Sequence, residues 1–339
     1  MSAASIASGQ AQLRALFPGL LACAVVAAAA TFLSEHYGAP VMLFALLLGM
    51  AMNFLSGEGA CQAGIEFTAR QVLRVGVALL GLRITAGQIA ELGWQPVAIV
   101  VLSVALTIAL SMIVARLIGF QSLFGLLSGG ATAICGASAA LALAAALPHH
   151  PGKERATLFT VIGVSALSTL AMIVYPMLAQ SLGLDARHAG IFLGATIHDV
   201  AQVVGAGYSL SKETGDVATF VKLMRVAMLV PVIVFAVMFV RHQDRDSAVA
   251  SGPRPPLLPW FTVAFALLVA VNSTGVLPQA LTQAGGDFSR WCLVASIAAI
   301  GMKTQLKEVA TVGIKPVLLM IGETVFLVAL VLALLRWLE

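Results

Sequence analysis

Long apolar runs without charge constrain this chain more than any other feature of its sequence. Six stretches contain no Asp, Glu, Lys or Arg, namely 15–34, 37–57, 92–115, 117–152, 156–184 and 255–286. A helix needs about 20 apolar residues to cross the hydrocarbon core of a bilayer. Charged residues make up 10% of the 339 residues, whereas soluble domains carry about a quarter. We therefore expect an all-α, polytopic membrane protein.

The pattern predicts a single integral membrane domain over 1–339, with ten or eleven transmembrane helices. The predicted segments are 15–34, 39–56, 66–83, 93–116, 120–147, 156–181, 187–210, 216–240, 257–275, 289–303 and 313–337. The first run could pass for a signal peptide, but a first span fits better. A cytoplasmic N-terminus places Arg14, Arg70 and Arg116 inside, as the positive-inside rule favours.

A weak internal repeat relates the two ends of the chain. Gly81-Leu82-Arg83 and Pro96-Val97 align with Gly301-Met302-Lys303 and Pro316-Val317 at a constant offset of 220 residues. Matching segments are seven spans apart, and because this number is odd the copies are predicted to lie inverted, as in many secondary transporters. Chance similarity and a permuted order are the alternatives. The predicted halves are 15–147 and 156–337, and the predicted caps ending equivalent segments are Asn53 and Asn272.

Two of the apolar segments are interrupted by small and polar residues. Residues 129–138 read Gly-Gly-Ala-Thr-Ala-Ile-Cys-Gly-Ala-Ser, and residues 194–202 read Gly-Ala-Thr-Ile-His-Asp-Val-Ala-Gln. Irregular backbone survives at membrane depth only where it is buried in protein or lines a watery cavity. Paired Gly-interrupted segments are the best sequence indication of a transporter's substrate site. We therefore predict two broken helices and the transport of a small solute.

The first interruption has the features of an anion site. Gly136 lets the backbone leave helical geometry, so the amides that begin the next half-helix can bind an anion. Thr132 and Ser138 add hydroxyl donors, and Cys135 lies in the same cluster. The competing interpretation is a small-residue surface through which helices pack.

The second interruption places two ionisable residues together. His198 and Asp199 are followed by Gln202, which shares a helix face with both of them. Either ionisable group can carry a coupling proton, and imidazole is suited to titrate near neutral pH. Alternatively, one of the two simply caps the second half-helix at Val200.

Two cations follow in the eighth segment. Lys222 and Arg225 are three residues apart and are predicted to point the same way. Such a pair would attract an anion, and a guanidinium fork suits sulfate-, sulfonate- or phosphate-like oxygens. The alternative is that both side chains snorkel to lipid headgroups. Glu323 lies in the last segment, and the purely structural interpretation of it is a partner for one of these cations.

Several blocks along the chain resemble one known family. They are 134–139 (Ile-Cys-Gly-Ala-Ser-Ala), 197–204 (Ile-His-Asp-Val-Ala-Gln-Val-Val), 73–76 with 81–83, 221–225 and 301–304. These blocks resemble the bacterial YeiH-like family, which is named for sulfate export, over nearly the whole chain. The resemblance implies a multi-pass protein of the bacterial inner membrane. It also implies kinship with inverted-repeat carriers in which two broken helices cross, such as the bile-acid symporters.

These observations together predict a secondary transporter that exports a small sulfur-containing anion such as sulfate, sulfite or a sulfonate. The predicted substrate-binding residues are Thr132, Cys135, Gly136, Ser138, Thr196, His198, Gln202, Lys222 and Arg225. Asp199 or His198 is predicted to carry the coupling proton. The expected partners are the anion, a coupling ion (a proton before sodium) and the lipid bilayer, with a homodimer left open. The net charge of +4 reflects loops on one membrane face and not nucleic-acid binding.

Two other functions remain open from the sequence. A sodium-coupled uptake carrier for an organic anion would use unwound carbonyls and carboxylates for sodium. A membrane-embedded enzyme would need Cys135 as nucleophile and His198 as base. The four cysteines have no metal-ligand or disulfide spacing, so we expect no metal site. No sequence feature places Cys135 and His198 in contact and no stretch resembles an oxyanion-hole motif, so we expect no enzyme activity and no cofactor.

Overall fold

A computed structural model describes residues 3–37, 41–57, 59–147, 153–243, 260–304 and 314–338. Every regular element within these ranges is a helix. The helices are α1 (Ala3–Tyr37), α2 (Val41–Ala51), α3 (Gln62–Phe67), α4 (Leu73–Leu79), α5 (Ala86–Glu91), α6 (Gln95–Leu117), α7 (Ser122–Ala133), α8 (Ala137–Ala146), α9 (Lys153–Ser181), α10 (Ala186–Thr196), α11 (Val200–Leu210), α12 (Lys212–Ala227), α13 (Leu229–Gln243), α14 (Trp260–Ser273), α15 (Gln279–Lys303) and α16 (Ile314–Trp337). The predicted segment starts at 39, 257 and 313 lie outside the described residues.

Five of these helical stretches are long and apolar enough to cross a membrane. They are Arg14–Tyr37, Gln95–Leu117, Arg155–Ser181, Lys212–Phe239 and Ile314–Trp337. The segments predicted at 120–147 and 187–210 are each split into two helices, α7 with α8 and α10 with α11. The prediction of an all-α, polytopic membrane protein is confirmed.

The described chain divides into two compact units. The first comprises Met1–Ala90, Tyr208–Leu210 and Phe261–Gln305, and the second comprises the remaining segments. Each unit therefore draws on both of the halves predicted from the repeat. The functional residues predicted from the sequence all fall in the second unit.

Glycines allow very close helix packing in the first unit. A Cβ atom added to Gly49 of α2 would lie 2.2 Å from the carbonyl oxygen of Ala298 on α15, and one added to Gly301 would lie 2.4 Å from that of Leu46. Membrane helices have no hydrophobic force to drive them together, so small residues that allow close van der Waals contact favour association. These glycines fix how α2 and α15 pack.

Two asparagines of the first unit each bond to the backbone of the other copy of the predicted repeat. Asn53 Nδ2 donates to the carbonyl oxygens of Met302 (2.5 Å) and Thr304 (3.2 Å). Asn272 Nδ2 donates to the carbonyl oxygen of Ile84 (3.1 Å). Ile84 and Thr304 are separated by the 220 residues of the predicted offset, so each copy satisfies a segment end in the other. This exchange favours the inverted repeat, which itself stays a prediction.

Glycines play the same part around the broken helices of the second unit. A Cβ atom at Gly125 of α7 would lie 2.5 Å from the carbonyl oxygen of Ser111 on α6, and one at Gly194 of α10 would lie 2.5 Å from that of Ala218 on α12. The close approach brings α6 beside α7 and α12 beside α10. Side chains of α12 reach both interruptions directly, and Ser111 of α6 reaches α7.

Candidate functional site

The first break, residues 134–136, separates α7 from α8 by a glycine turn. Gly136 has a φ of +64°, a conformation that residues with a Cβ atom adopt at a cost. Gly136 is the N-cap residue of α8 and has no side chain that could cap the helix. The Ala139 amide interacts with the Cys135 side chain. Ser138, in the first turn of α8, is exposed, and Ala137 is half-buried. This helix end therefore has no cap from its N-cap residue and lies next to an accessible surface.

The second break, residues 197–199, separates α10 from α11 by extended backbone. Asp199 is the N-cap residue of α11, and its Oδ1 accepts a hydrogen bond from the Ala201 amide at 2.8 Å. Its own amide donates to Ser168 Oγ at 2.9 Å. Asp199 thus caps the half-helix, as one of the two sequence interpretations held, while its side chain stays half-buried.

The two breaks lie against each other inside the second unit. A Cβ atom added to Gly136 would lie 3.7 Å from His198 Cβ. His198 Nδ1 is 3.1 Å from the Thr132 carbonyl oxygen, and because a carbonyl only accepts, Nδ1 is the donor. His198 Nε2 is 3.1 Å from Thr324 Oγ1 on α16. The completely buried imidazole therefore ties the second break to the end of α7.

Lys222 bonds to both breaks at once. Its Nζ donates to the carbonyl oxygens of Ile134 (2.6 Å), Ile197 (2.9 Å) and His198 (2.5 Å). These three bonds use all three hydrogens of the ammonium group. The backbone carbonyls that lack helical partners where α7 and α10 end thus accept hydrogen bonds from the Lys222 ammonium group.

Arg225 extends the same arrangement one turn along α12. Its Nε donates to Ala133 O (2.8 Å), its Nη2 to Thr132 O (3.0 Å), and its Nη1 to Ile197 O (3.1 Å) and Gly194 O (3.2 Å). The last carbonyls of a helix lack intrahelical partners and carry the negative end of its dipole. Arg225 therefore neutralises the C-terminal ends of α7 and α10 together.

These contacts decide between the two interpretations of the cations only in part. Lys222 and Arg225 are completely buried, so they do not snorkel to headgroups. Their hydrogens are directed at backbone carbonyls, so in this structure both residues connect the two breaks. Their contact with an anion stays a prediction.

Glu323 does not pair with Lys222 or Arg225, which was its purely structural interpretation. Its carboxyl oxygens bond to three hydroxyls and not to a cation, with Ser111 Oγ at 2.5 Å, Ser128 Oγ at 2.6 Å and Thr132 Oγ1 at 2.9 Å. Glu323 is 2% exposed. The group therefore belongs to a buried hydroxyl cluster formed by α6, α7 and α16.

Exposure divides the predicted substrate residues into two sets. Ser138 is exposed and Asp199 is half-buried. The fully or nearly buried set comprises Thr132, Cys135, Gly136, Thr196, His198, Gln202, Lys222 and Arg225. In this structure the second set positions the breaks, and contact of its members with the substrate stays a prediction.

Gln202 differs from the rest of the buried set. Its Nε2 donates to Thr169 Oγ1 on α9 at 3.0 Å. Its Oε1 is buried and has no hydrogen-bond partner among the described residues. A buried acceptor without a partner is costly. Gln202 therefore offers an unused acceptor at the start of α11.

Sequence reasoning missed the hydroxyl residues that surround both breaks. They are Ser111, Ser128, Ser168, Thr169 and Thr324. A signal for part of this set was present, because Ser103, Thr107 and Ser111 recur every four residues on α6 and are completely buried. A hydroxyl stripe at this spacing marks one helix face and predicts a polar partner across it.

Comparison with known proteins agrees with this architecture. The family described as "Conserved hypothetical protein 698" matches residues 18–320. A UPF0324 membrane protein of Chlorobaculum tepidum is 57% identical over 325 residues, covering 95% of this chain and 90% of its own. The UPF0324 membrane protein TauZ of Paracoccus denitrificans is 52% identical over 320 residues, covering 94% of each chain. No solved structure matches the chain.

A Rhizobium meliloti relative, also named a UPF0324 membrane protein, is 51% identical over 316 residues, covering 93% of this chain and 91% of its own. These matches run through both breaks and both units. They confirm the resemblance to the YeiH-like family. The chain therefore belongs to the Conserved hypothetical protein 698 family, whose relatives named here are UPF0324 membrane proteins.

Proposed function

We propose that this chain is a secondary active transporter that exports a small sulfur-containing anion across the bacterial inner membrane in exchange for protons. The observation that carries the proposal is the pair of broken helices, held against each other by Lys222 and Arg225 at a depth where unpaired backbone is costly. Half-helices that meet near the bilayer midplane are typical of secondary transporters. A purely structural membrane protein has no use for them.

The N-terminus of α8 is the best place for the anion. Its N-cap residue, Gly136, has no side chain, and the helix dipole places partial positive charge there. Ser138 adds an exposed hydroxyl in the same turn. The corresponding end of α11 is occupied by the Asp199 carboxylate, which would repel an anion. The two half-helix ends are thus suited to an oxyanion and to a proton, respectively.

Lys222 favours a proton over sodium as the coupling ion. Carriers that use sodium coordinate it with unwound backbone carbonyls and half-helix C-terminal ends. Here the carbonyls of Ile134, Ile197 and His198 already hold the Lys222 ammonium. Asp199 remains half-buried and is able to take up a proton in its place.

The enzyme alternative lacks the contact it needs. A Cys–His pair acts when the imidazole is within hydrogen-bond reach of the thiol. The two ring nitrogens of His198 are instead directed at the Thr132 carbonyl and Thr324 Oγ1. We therefore favour transport without covalent chemistry. The sulfur-containing substrate and the direction of export follow from the resemblance to sulfate exporters, and the cytoplasmic N-terminus from the placement of basic residues.

Flux into proteoliposomes tests the proposal. Purified protein is reconstituted, a pH gradient is imposed, and radiolabelled sulfate is followed with unlabelled sulfite, thiosulfate, taurine and chloride as competitors. We expect gradient-driven flux that a sulfur oxyanion competes and that Asp199→Asn abolishes, since Asn keeps the cap acceptor but cannot titrate. Flux that needs sodium would replace the proposal by the uptake carrier, and the absence of flux under either gradient would contradict transport of these anions.

A further inference from the structure

The hydroxyl cluster around Glu323 has more acceptors than hydroxyl hydrogens. Ser111 Oγ lies 2.7 Å from the Gly125 carbonyl oxygen and 2.5 Å from Glu323 Oε1. A serine hydroxyl has one hydrogen. If Glu323 were a carboxylate, that single hydrogen would have two acceptors and one short contact would be left without a hydrogen.

A proton on Glu323 completes the count. The carboxylic acid then donates from Oε1 to Ser111 Oγ, and Ser111 donates onward to Gly125 O. Ser128 donates to Oε1 and Thr132 donates to Oε2. Each of the four contacts of 2.9 Å or less then has its own hydrogen and each hydroxyl donates once, while the longer contact between Ser111 Oγ and Ser128 Oγ (3.3 Å) carries no hydrogen.

The surroundings of Glu323 also lack a countercharge. In the described part of the chain, no Lys or Arg side chain bonds to its carboxyl group, and α6 and α7 contribute only hydroxyls. The ionisable groups at the neighbouring breaks are His198, Asp199, Lys222 and Arg225, whose side chains bond to other partners. The two cations are bonded to carbonyls. An isolated carboxylate at membrane depth is expensive, whereas the neutral acid is not.

From this geometry we infer that Glu323 is a second proton-binding site, one that holds its proton as a neutral carboxylic acid in this conformation. The site deepens the proposed function and rests on it only for its role in transport. Thr132 connects it to the breaks, because its hydroxyl donates to Glu323 while its carbonyl accepts from Arg225 and His198. Loss of the proton would leave a buried charge and pull Thr132 and Ser111 toward the carboxylate. Binding and release of this proton is thereby linked to the position of the first break.

Infrared difference spectroscopy tests the protonation without any substrate. At neutral pH, the purified protein is expected to give the carbonyl stretch of a protonated carboxylic acid, and Glu323→Gln should remove it. Glu213→Gln, at an exposed position in the first turn of α12, is the matched control and should leave the band unchanged. If the band is absent from the wild type, or is lost in Asp199→Asn and kept in Glu323→Gln, the inference is overturned.

Transport then tests the linkage. Gln is neutral and matches the shape of the protonated acid, so Glu323→Gln should fold, bind and exchange anion between the two sides of proteoliposomes. Its flux should no longer respond to an imposed pH gradient, whereas Glu213→Gln should respond as the wild type does. An unchanged pH response in Glu323→Gln would contradict the linkage. If the wild type transports no anion at all, the proposed function fails while the infrared result still decides the proton site.

Discussion

Each of the two breaks ends one helix and begins another, but the helix N-termini that follow the breaks differ in their chemistry. The first turns at Gly136, whose φ is positive, and this glycine gives α8 an N-cap residue without a side chain. The second runs through extended backbone, and the carboxylate of Asp199 occupies the N-terminus of α11. The two helices that precede the breaks, α7 and α10, end alike, because Lys222 and Arg225 donate hydrogen bonds to carbonyl oxygens at both ends.

This difference indicates a division of labour between the half-helices. An uncapped helix N-terminus attracts an anion, whereas one that already holds a carboxylate does not. The glycine turn therefore leaves the N-terminus of α8 suited to an anion, and the Asp199 cap makes the neighbouring N-terminus of α11 acidic. Lys222 and Arg225, which bond to both breaks, hold the two breaks against each other.

The largest effect is expected from Lys222→Met, which removes the bonds common to both breaks. Three buried carbonyls would lose their donor, and removing one partner from a buried charged network costs about 3–5 kcal/mol. We expect loss of folded protein or a large drop in the thermal unfolding midpoint in detergent. Lys212→Met, an exposed position at the start of the same helix, is the control and should change little. An unaltered midpoint in Lys222→Met would refute the cross-linking role.

Gly136→Ala is expected to have an intermediate effect, confined to the first break. Gly136 has φ +64° and ψ −128°, a conformation that glycine adopts readily and that costs a residue with a Cβ atom about 1–3 kcal/mol. Gly322 on α16 is the matched control, because nothing lies within 4 Å of a Cβ atom placed there. Gly322→Ala should be neutral or stabilise by up to about 1 kcal/mol. Equal thermal midpoints for the two variants would mean that the glycine turn is not required.

The smallest effect is expected at Asp185, which caps the exposed start of α10 as Asp199 caps α11. The His188 amide donates to Asp185 Oδ1 at 2.7 Å, and this bond lowers the pKa of the carboxyl below its ordinary value. A lowered pKa stabilises the fold above the unfolded-state value of about 3.9 and the benefit is lost as pH falls through the folded-state value. Asp185→Ala should therefore cost about 1 kcal/mol or less near neutral pH.

The pH dependence of that cost separates a charged cap from a neutral one. The difference in thermal midpoint between the wild type and Asp185→Ala should shrink in acid, once Asp185 is protonated in the folded state. Asp185→Asn keeps a cap acceptor without a titrating group, so its own difference from Asp185→Ala should persist at low pH. A wild-type advantage that does not decline in acid would contradict a charged cap.

Local sequence was enough to predict the helices and both breaks. Gly136 among apolar residues, and His198-Asp199 after Gly194-Ala195-Thr196, cannot continue a lipid-facing helix, so the positions of the interruptions follow from their own side chains. The cap at Asp199 was one of two interpretations that the sequence offered, and the structure realises it.

Long-range partners could not be predicted in the same way. The spacing of Lys222 and Arg225 predicted a shared direction, but not that the atoms in that direction are the carbonyls of α7 and α10. The structural interpretation of Glu323 gave it a cationic partner, because charge pairing is the common rule. Its partners are instead hydroxyl groups of α6 and α7, about 190 to 210 residues earlier in the chain. Which helices become neighbours depends on how all the helices pack together, and the residue pattern of a single sequence does not show that packing.

The position of both cations on one helix has a mechanical consequence. Lys222 and Arg225 connect α12 to the ends of α7 and α10 through seven hydrogen bonds. Separating the breaks would expose charged groups and carbonyls together, so small hinge movements within the breaks are disfavoured. Any rearrangement that changes access to the site must therefore carry α7, α10 and α12 as one rigid body.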